Sequence, residues 1–190
     1  LVMRRRFRLL LLLALVPALL LAVPAVRQRL STLPHEWDPE RGGRATLWTR
    51  IAPAMLREHP FGMGYGVVDH DTIMEFDSRH GGRIAEYRHE HDHLHNNVLH
   101  VAAELGYPGV MLLVLTGAWA LWVLGWTALR LRRLRAPESD LALGILAGLV
   151  ALQVNGLVEC NLGDSEPLML WCLLLGWGTM LYRQALSRTS

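Results

Sequence analysis

Residues 88–109, "RHEHDHLHNNVLHVAAELGYPG", carry histidine at every second position: His89, His91, His93 and His95. Imidazole titrates near neutrality, so it serves as a proton acceptor or, when unprotonated, as a metal ligand. Both chemistries fit this spacing. On an extended strand side chains alternate with period two, so the rings share one face while Glu90 and Asp92 point away. Such a face suits a borderline metal such as zinc or copper. From Leu94 onward the pattern becomes helical: Leu94, Val98, Val101, Ala102 and Leu105 mark one face, and Gly106 with Pro108 is a stop signal. A helix starting there puts His95 in its first turn and turns it away from the face of the other histidines. The positive end of the helix dipole disfavours imidazolium, and a neutral imidazole is what a general base requires. His35, His59, His70 and His80 read as solvated polar residues. Glu104 lies too far along the same helix to form a direct dyad with His95.

A second stretch, "GGRATLWTRIAPAMLREHPFGMGYG" (residues 42–66), holds Arg44, a guanidinium suited to phosphate oxygens. Leu47, Trp48, Ile51 and Met55 recur at helical spacing and predict an apolar stripe. Pro53 weakens that helix and Pro60 prevents its continuation. Gly62, Gly64 and Gly66 then predict a tight turn with close backbone approach, not a phosphate loop, since no Gly-Lys-Ser/Thr follows. Residues 67–88 are polar and mixed and read as loop.

The elements that position these residues are set by hydropathy and charge. The chain has 190 residues, 52% of them hydrophobic, and a formal charge of +2. The apolar residues concentrate in blocks at 7–26, 110–129, 141–158 and 168–182. Each approaches the length needed to cross a hydrocarbon layer of roughly 30 Å as a helix. Pro17 is expected to kink the first. All 19 basic residues are arginine. Arg4, Arg5, Arg6 and Arg8 stand at the start of the first block; Arg130, Arg132, Arg133 and Arg135 follow the second; Arg183 and Arg188 follow the fourth. The positive-inside rule puts those segments in the cytoplasm and exports residues 27–107 together with the acidic loop 159–166. A signal peptide over residues 1–26 is the rival, and it exports the same segment. The expectation is therefore an all-α membrane protein of about four transmembrane helices. Residues 1–26 form one span, 27–107 a large periplasmic loop containing short helices, 108–183 the other spans, and 184–190 a cytoplasmic tail. Cys160 and Cys172 fall at different depths, so no disulfide is predicted and both read as packing residues. Glu159, Asn161, Asp164, Ser165 and Glu166 occupy the second exported loop, either facing the site or as a solvated turn.

The stretches "GRATLW", "HPFGMGYG", "HNNVLHVAAELGYPGV" and "VECNLGDSE" together resemble the C-terminal half of the O-antigen ligase and polymerase family of bacterial inner-membrane glycosyltransferases. The strongest part is His95–Asn96, nine residues, then Gly106, Gly109 and Val110. Met111 and Leu112 stand where ligases often continue with Thr-Gly, which leaves ligase or polymerase open. The resemblance implies transfer of a glycan from undecaprenyl diphosphate to a hydroxyl acceptor such as a lipid A core sugar, in lipopolysaccharide assembly. On it, His95 matches the base and Arg44 a residue that holds the diphosphate, with Asn96 beside them in substrate binding. Glu104, Glu159, Asp164 and Glu166 are candidates to support that set. No cofactor, no metal and no nucleic-acid partner are expected in that role; membrane lipids are. The family's members begin with further helices, so this chain is expected to be a fragment. The alternative of another class is a non-catalytic periplasmic metal-binding protein using the His89–His95 ladder.

Overall fold

In a computed structural model of the chain, residues 21–39, 42–82, 84 and 91–188 are described, and all regular structure among them is helical. The predicted kink at Pro17, most of the first span, and His89 with Glu90 lie outside the described residues. α1 runs Pro24–Glu36. A continuous helical stretch follows, with α2 at Arg44–Thr46, a π-helical turn at Leu47–Ile51 and α3 at Ala52–Glu58. α4 is His70–Arg79, α5 Asn97–Arg133, α6 Ser139–Asn155 and α7 Ser165–Ser187.

α4 corrects the expectation of loop over residues 67–88. Asp69 caps it, accepting from Thr72 N at 2.9 Å, which satisfies one of the amides left orphaned at a helix start. Ile73 and Phe76, one turn apart, pack inward on Leu47, Ile51, Met55 and Leu94. Of the predicted stripe, Leu47, Ile51 and Met55 are fully buried in this small core and Trp48 packs against it half-buried.

The second core joins α5, α6 and α7. Ala120, Leu124, Ala128 and Leu131 meet Ala142, Ile145 and Leu149, with Leu181 and Ala185 closing the third side. Small residues set the spacing: a methyl on Gly178 would sit 2.2 Å from Leu124 Cδ2, and one on Gly117 2.7 Å from Gln153 Nε2. Helices in lipid use small residues in this way to approach closely. The outward faces are apolar and exposed, with Trp119, Trp122, Leu115, Val154, Met169 and Trp177 among them. α5 is long and apolar enough to cross a membrane; α6 is apolar but has 17 residues.

The predicted helix stop at Gly106 proves to be a break within α5 (φ 65°, ψ −161°), after which the chain runs on as helix. The glycine-rich segment 60–66 docks on that break. Met63 N donates to Ala103 O at 3.0 Å, Gly64 N to Glu104 O at 2.9 Å, and Tyr107 N to Pro60 O at 3.0 Å. A Cβ on Gly62 would lie 2.2 Å from Glu104 O, and one on Gly106 2.3 Å from Pro60 O. The two glycines admit each other's backbone, and the clasp fixes the small core to the membrane-length helix.

Candidate active site

The site lies where the start of α5 meets the turn between α6 and α7. Asn96 caps α5, its Oδ1 accepting from Val98 N and Leu99 N, while its Nδ2 donates to Leu157 O at 2.7 Å. Asn97 takes the next contacts: its amide donates to Gly156 O at 2.7 Å, and its Oδ1 accepts from Asn161 N and Leu162 N. Two consecutive asparagines thus bind the turn after α6 to the start of α5. The side-chain amide of Asn96, expected to bind substrate, makes these capping and bridging hydrogen bonds. Asn97 was not singled out, and nothing in its spacing distinguishes it from an ordinary first-turn residue.

The bridge brings Glu159 to His95. Glu159 Oε1 accepts from His95 Nδ1 at 2.9 Å and Cys160 N at 3.2 Å, and His93 Nε2 lies 3.1 Å from it. Its Oε2 meets Arg44 Nη2 at 3.2 Å, and Arg44 Nη1 donates to Val158 O. Arg44 is the first residue of α2, preceded by Gly43 and by Gly42 at φ 75°. His95, Glu159 and Arg44, more than a hundred residues apart at the extremes, form one continuous line.

His95 itself precedes the helix rather than lying in its first turn, at φ 48°, a left-handed conformation sparse among non-glycine residues and concentrated at functional sites. This overturns the expectation that His95 turns away from the other histidines. Because the helix begins at Asn97, His91, His93 and His95 converge: the rings of His93 and His95 are 4.2 Å apart, and His91 Nδ1 is 3.4 Å from His95 Nε2. His91 Nε2 lies 3.1 Å from Gly42 O, and a carbonyl only accepts, so that nitrogen carries a proton. The same reasoning at a charged Glu159 puts the His95 proton on Nδ1 and leaves Nε2 as its basic nitrogen.

Protonation states follow from the surroundings. Burial holds His95 below its usual range, helped by His93 and Arg44 and opposed by the Glu159 hydrogen bond. Burial pushes the Glu159 carboxyl up, but the hydrogen bonds from His95 and Cys160 and the charge of Arg44 hold it below its usual range. The resting pair is a neutral imidazole on a carboxylate. Burial raises the Cys160 thiol to about 11, so it stays protonated. Cys160 is buried as expected of a packing residue, whereas Cys172 is exposed, and both are free thiols.

The other candidates stand apart from the line. Glu104 is buried, accepts from Gly66 N at 2.7 Å and lies 3.5 Å from His100 Nε2. Asp164 lines a neighbouring cavity, and Glu166 accepts from Ser165 Oγ on the exposed surface. His93, His95 and Glu159 offer ligand atoms within 4.8 Å of one another, the His/His/carboxylate set that zinc accepts.

The geometry suits a hydroxyl-activating imidazole beside an arginine. No curated protein and no solved structure matches the chain. A family model described as O-antigen ligase matches residues 1–114, more than half of its length. By that match, which spans Arg44 and His95, the chain belongs to the O-antigen ligase family.

Proposed function

We propose that the chain transfers a glycan from undecaprenyl diphosphate to a hydroxyl acceptor, as an O-antigen ligase or a polymerase of the same family. The observation that carries this is the Glu159 carboxylate held between His95 Nδ1 and Arg44 Nη2. Glu159 fixes the His95 tautomer and stabilises the imidazolium that forms. The acceptor hydroxyl gives its proton to His95 Nε2 as its oxygen bonds to the anomeric carbon. The bond from that carbon to the diphosphate oxygen breaks, and undecaprenyl diphosphate leaves with the electron pair. A single displacement inverts the anomeric centre. Arg44 faces the leaving group, where a guanidinium fork matches phosphate oxygens and stabilises their charge.

In this proposal α5 beyond Gly106, α6 and α7 cross the bacterial inner membrane together with segment 7–26, and residues 27–107 are periplasmic. The site is at the end of the helices opposite Arg130, Arg132, Arg133 and Arg183, and positive charge marks the cytoplasmic side. Exposed apolar side chains around α5, α6 and α7 support burial in lipid. The acceptor is a lipid A core sugar for a ligase and a second growing glycan for a polymerase. Proteoliposomes of the full chain, given undecaprenyl-diphosphate-linked glycan and lipid A core, should release undecaprenyl diphosphate in step with glycan appearing on the acceptor. Donor left unconsumed with either acceptor defeats the proposal. A metal-binding role is the second reading, favoured among the described residues by the His93, His95 and Glu159 cluster.

A further inference from the structure

A cavity of about 450 Å³ opens beside the site, between the glycine-rich segment, the first turns of α5 and the turn leading into α7. Among the described residues its lining includes Tyr65, Asp92, His93, His100, Glu104 and Asp164 and no arginine. We propose that this cavity binds the terminal sugar ring of the acceptor, that the ring it takes is unphosphorylated, and that its carboxylates exclude phosphorylated rings. The proposal rests on the transferase reading above and adds the acceptor subsite and its charge selectivity.

Position comes first. His93 belongs to both places: it lines the cavity, and its Nε2 lies 3.1 Å from Glu159 Oε1 with its ring 4.2 Å from that of His95. Among the described lining residues neither Arg44, Glu159 nor His95 appears, and Arg44 meets the other carboxylate oxygen, Oε2. A ring in the cavity thus adjoins His93, whose ring contacts that of His95, while Arg44 lies across Glu159 from the histidines. This is the separation that an acceptor and a donor require.

Lining chemistry comes second. Carboxylates and imidazoles exchange hydrogen bonds with sugar hydroxyls, and Tyr65, 81% exposed, offers an aromatic face to the C–H side of a ring. Among the described residues, His93 Nδ1 and His100 Nδ1 are buried without a hydrogen-bond partner, an expensive state that a small rearrangement around a bound hydroxyl relieves. Among the described residues lining the cavity, Asp92, Glu104 and Asp164 together give a negative field with no arginine to oppose it. Like charge repels a phosphate and leaves a neutral ring, or one bearing an amine, unopposed.

Saturation-transfer NMR on the full chain in nanodiscs tests binding without requiring transfer, using methyl glucoside, methyl glucosaminide and glucose 6-phosphate as probes. The two phosphate-free rings should show contact and glucose 6-phosphate should bind at least about tenfold more weakly. Asp92→Asn with Asp164→Asn should narrow that gap, and Tyr65→Ala should weaken all three. His95→Ala should abolish transfer and leave sugar contact intact, which separates this proposal from the transferase reading. Glucose 6-phosphate binding as well as methyl glucoside, or an acceptor KM unchanged in Tyr65→Ala and His100→Ala proteins that still transfer, overturns it.

Discussion

Replacing Glu159 with glutamine keeps the shape of the side chain and removes its charge. In the folded chain that charge receives His95 Nδ1 at 2.9 Å and Arg44 Nη2 at 3.2 Å. Hydrogen bonds to charged groups contribute about 1.5–3 kcal/mol against about 0.5–1.5 for neutral pairs, so the imidazolium formed at His95 loses roughly 1–2 kcal/mol of stabilisation. Glu159 is 35% exposed, and solvent screening favours the lower end. At about 1.36 kcal/mol per tenfold, kcat falls about 5- to 30-fold. The pH profile gives a second, signed readout. The Glu159 hydrogen bond and charge raise the His95 pKa against burial, so their removal lowers it further. His95 acts as a base only when neutral, so the acid limb moves to lower pH while the plateau drops. Single-turnover transfer in proteoliposomes across acidic to neutral pH measures both. A plateau close to that of the unaltered chain, or an acid limb displaced upward, refutes the orienting role of Glu159.

Arg44→Lys should remove most transfer, because an ammonium does not reproduce the planar fork, whereas Arg79→Lys, at an exposed ion pair with Glu58, should be nearly silent; equal losses deny Arg44 a special role. Gly106→Ala should lower the thermal unfolding midpoint in detergent by several degrees, since its backbone angles alone cost an alanine about 1–3 kcal/mol and the methyl meets Pro60 O. Gly125→Ala, whose methyl meets nothing within 4 Å, should leave the midpoint unchanged or raise it, and similar shifts at both positions contradict the clasp. With the native cysteines replaced, Ser78→Cys on exposed α4 should react with an impermeant thiol reagent in intact spheroplasts; protection until lysis reverses the proposed topology.

Local regularities were legible in the sequence because they depend on neighbours in the chain. The spacing of Leu47, Ile51 and Met55 announced a buried stripe, and the apolar block from Val110 announced the long helix. α4 was missed although Asp69 and Thr72 spell a cap; the mixed polarity of residues 67–88 hid the Ile73–Phe76 pair. The glycines of residues 62–66 and Gly106 each signalled an unusual backbone, but that they face one another is a tertiary fact with no local signature. Asn96 was legible as a motif position, and its cap of α5 emerged only with the helix boundary. Glu159 was one of several acids in a loop. Its selection came from the asparagine bridge, which no periodicity encodes. The histidine ladder was misjudged by the helix boundary: a start two or three residues later let three rings converge.

The most direct test of His95 as the base is transfer from undecaprenyl-diphosphate-linked glycan by the full chain carrying His89→Ala, His91→Ala, His93→Ala or His95→Ala singly, each with and without EDTA. Base catalysis commonly contributes about 10²–10⁴-fold, so His95→Ala should lose that much and exceed every neighbour by at least about tenfold, with EDTA changing nothing. Strong EDTA inhibition reversed by zinc, with His93→Ala as impaired as His95→Ala, would instead make His93, His95 and Glu159 a metal centre and contradict the base.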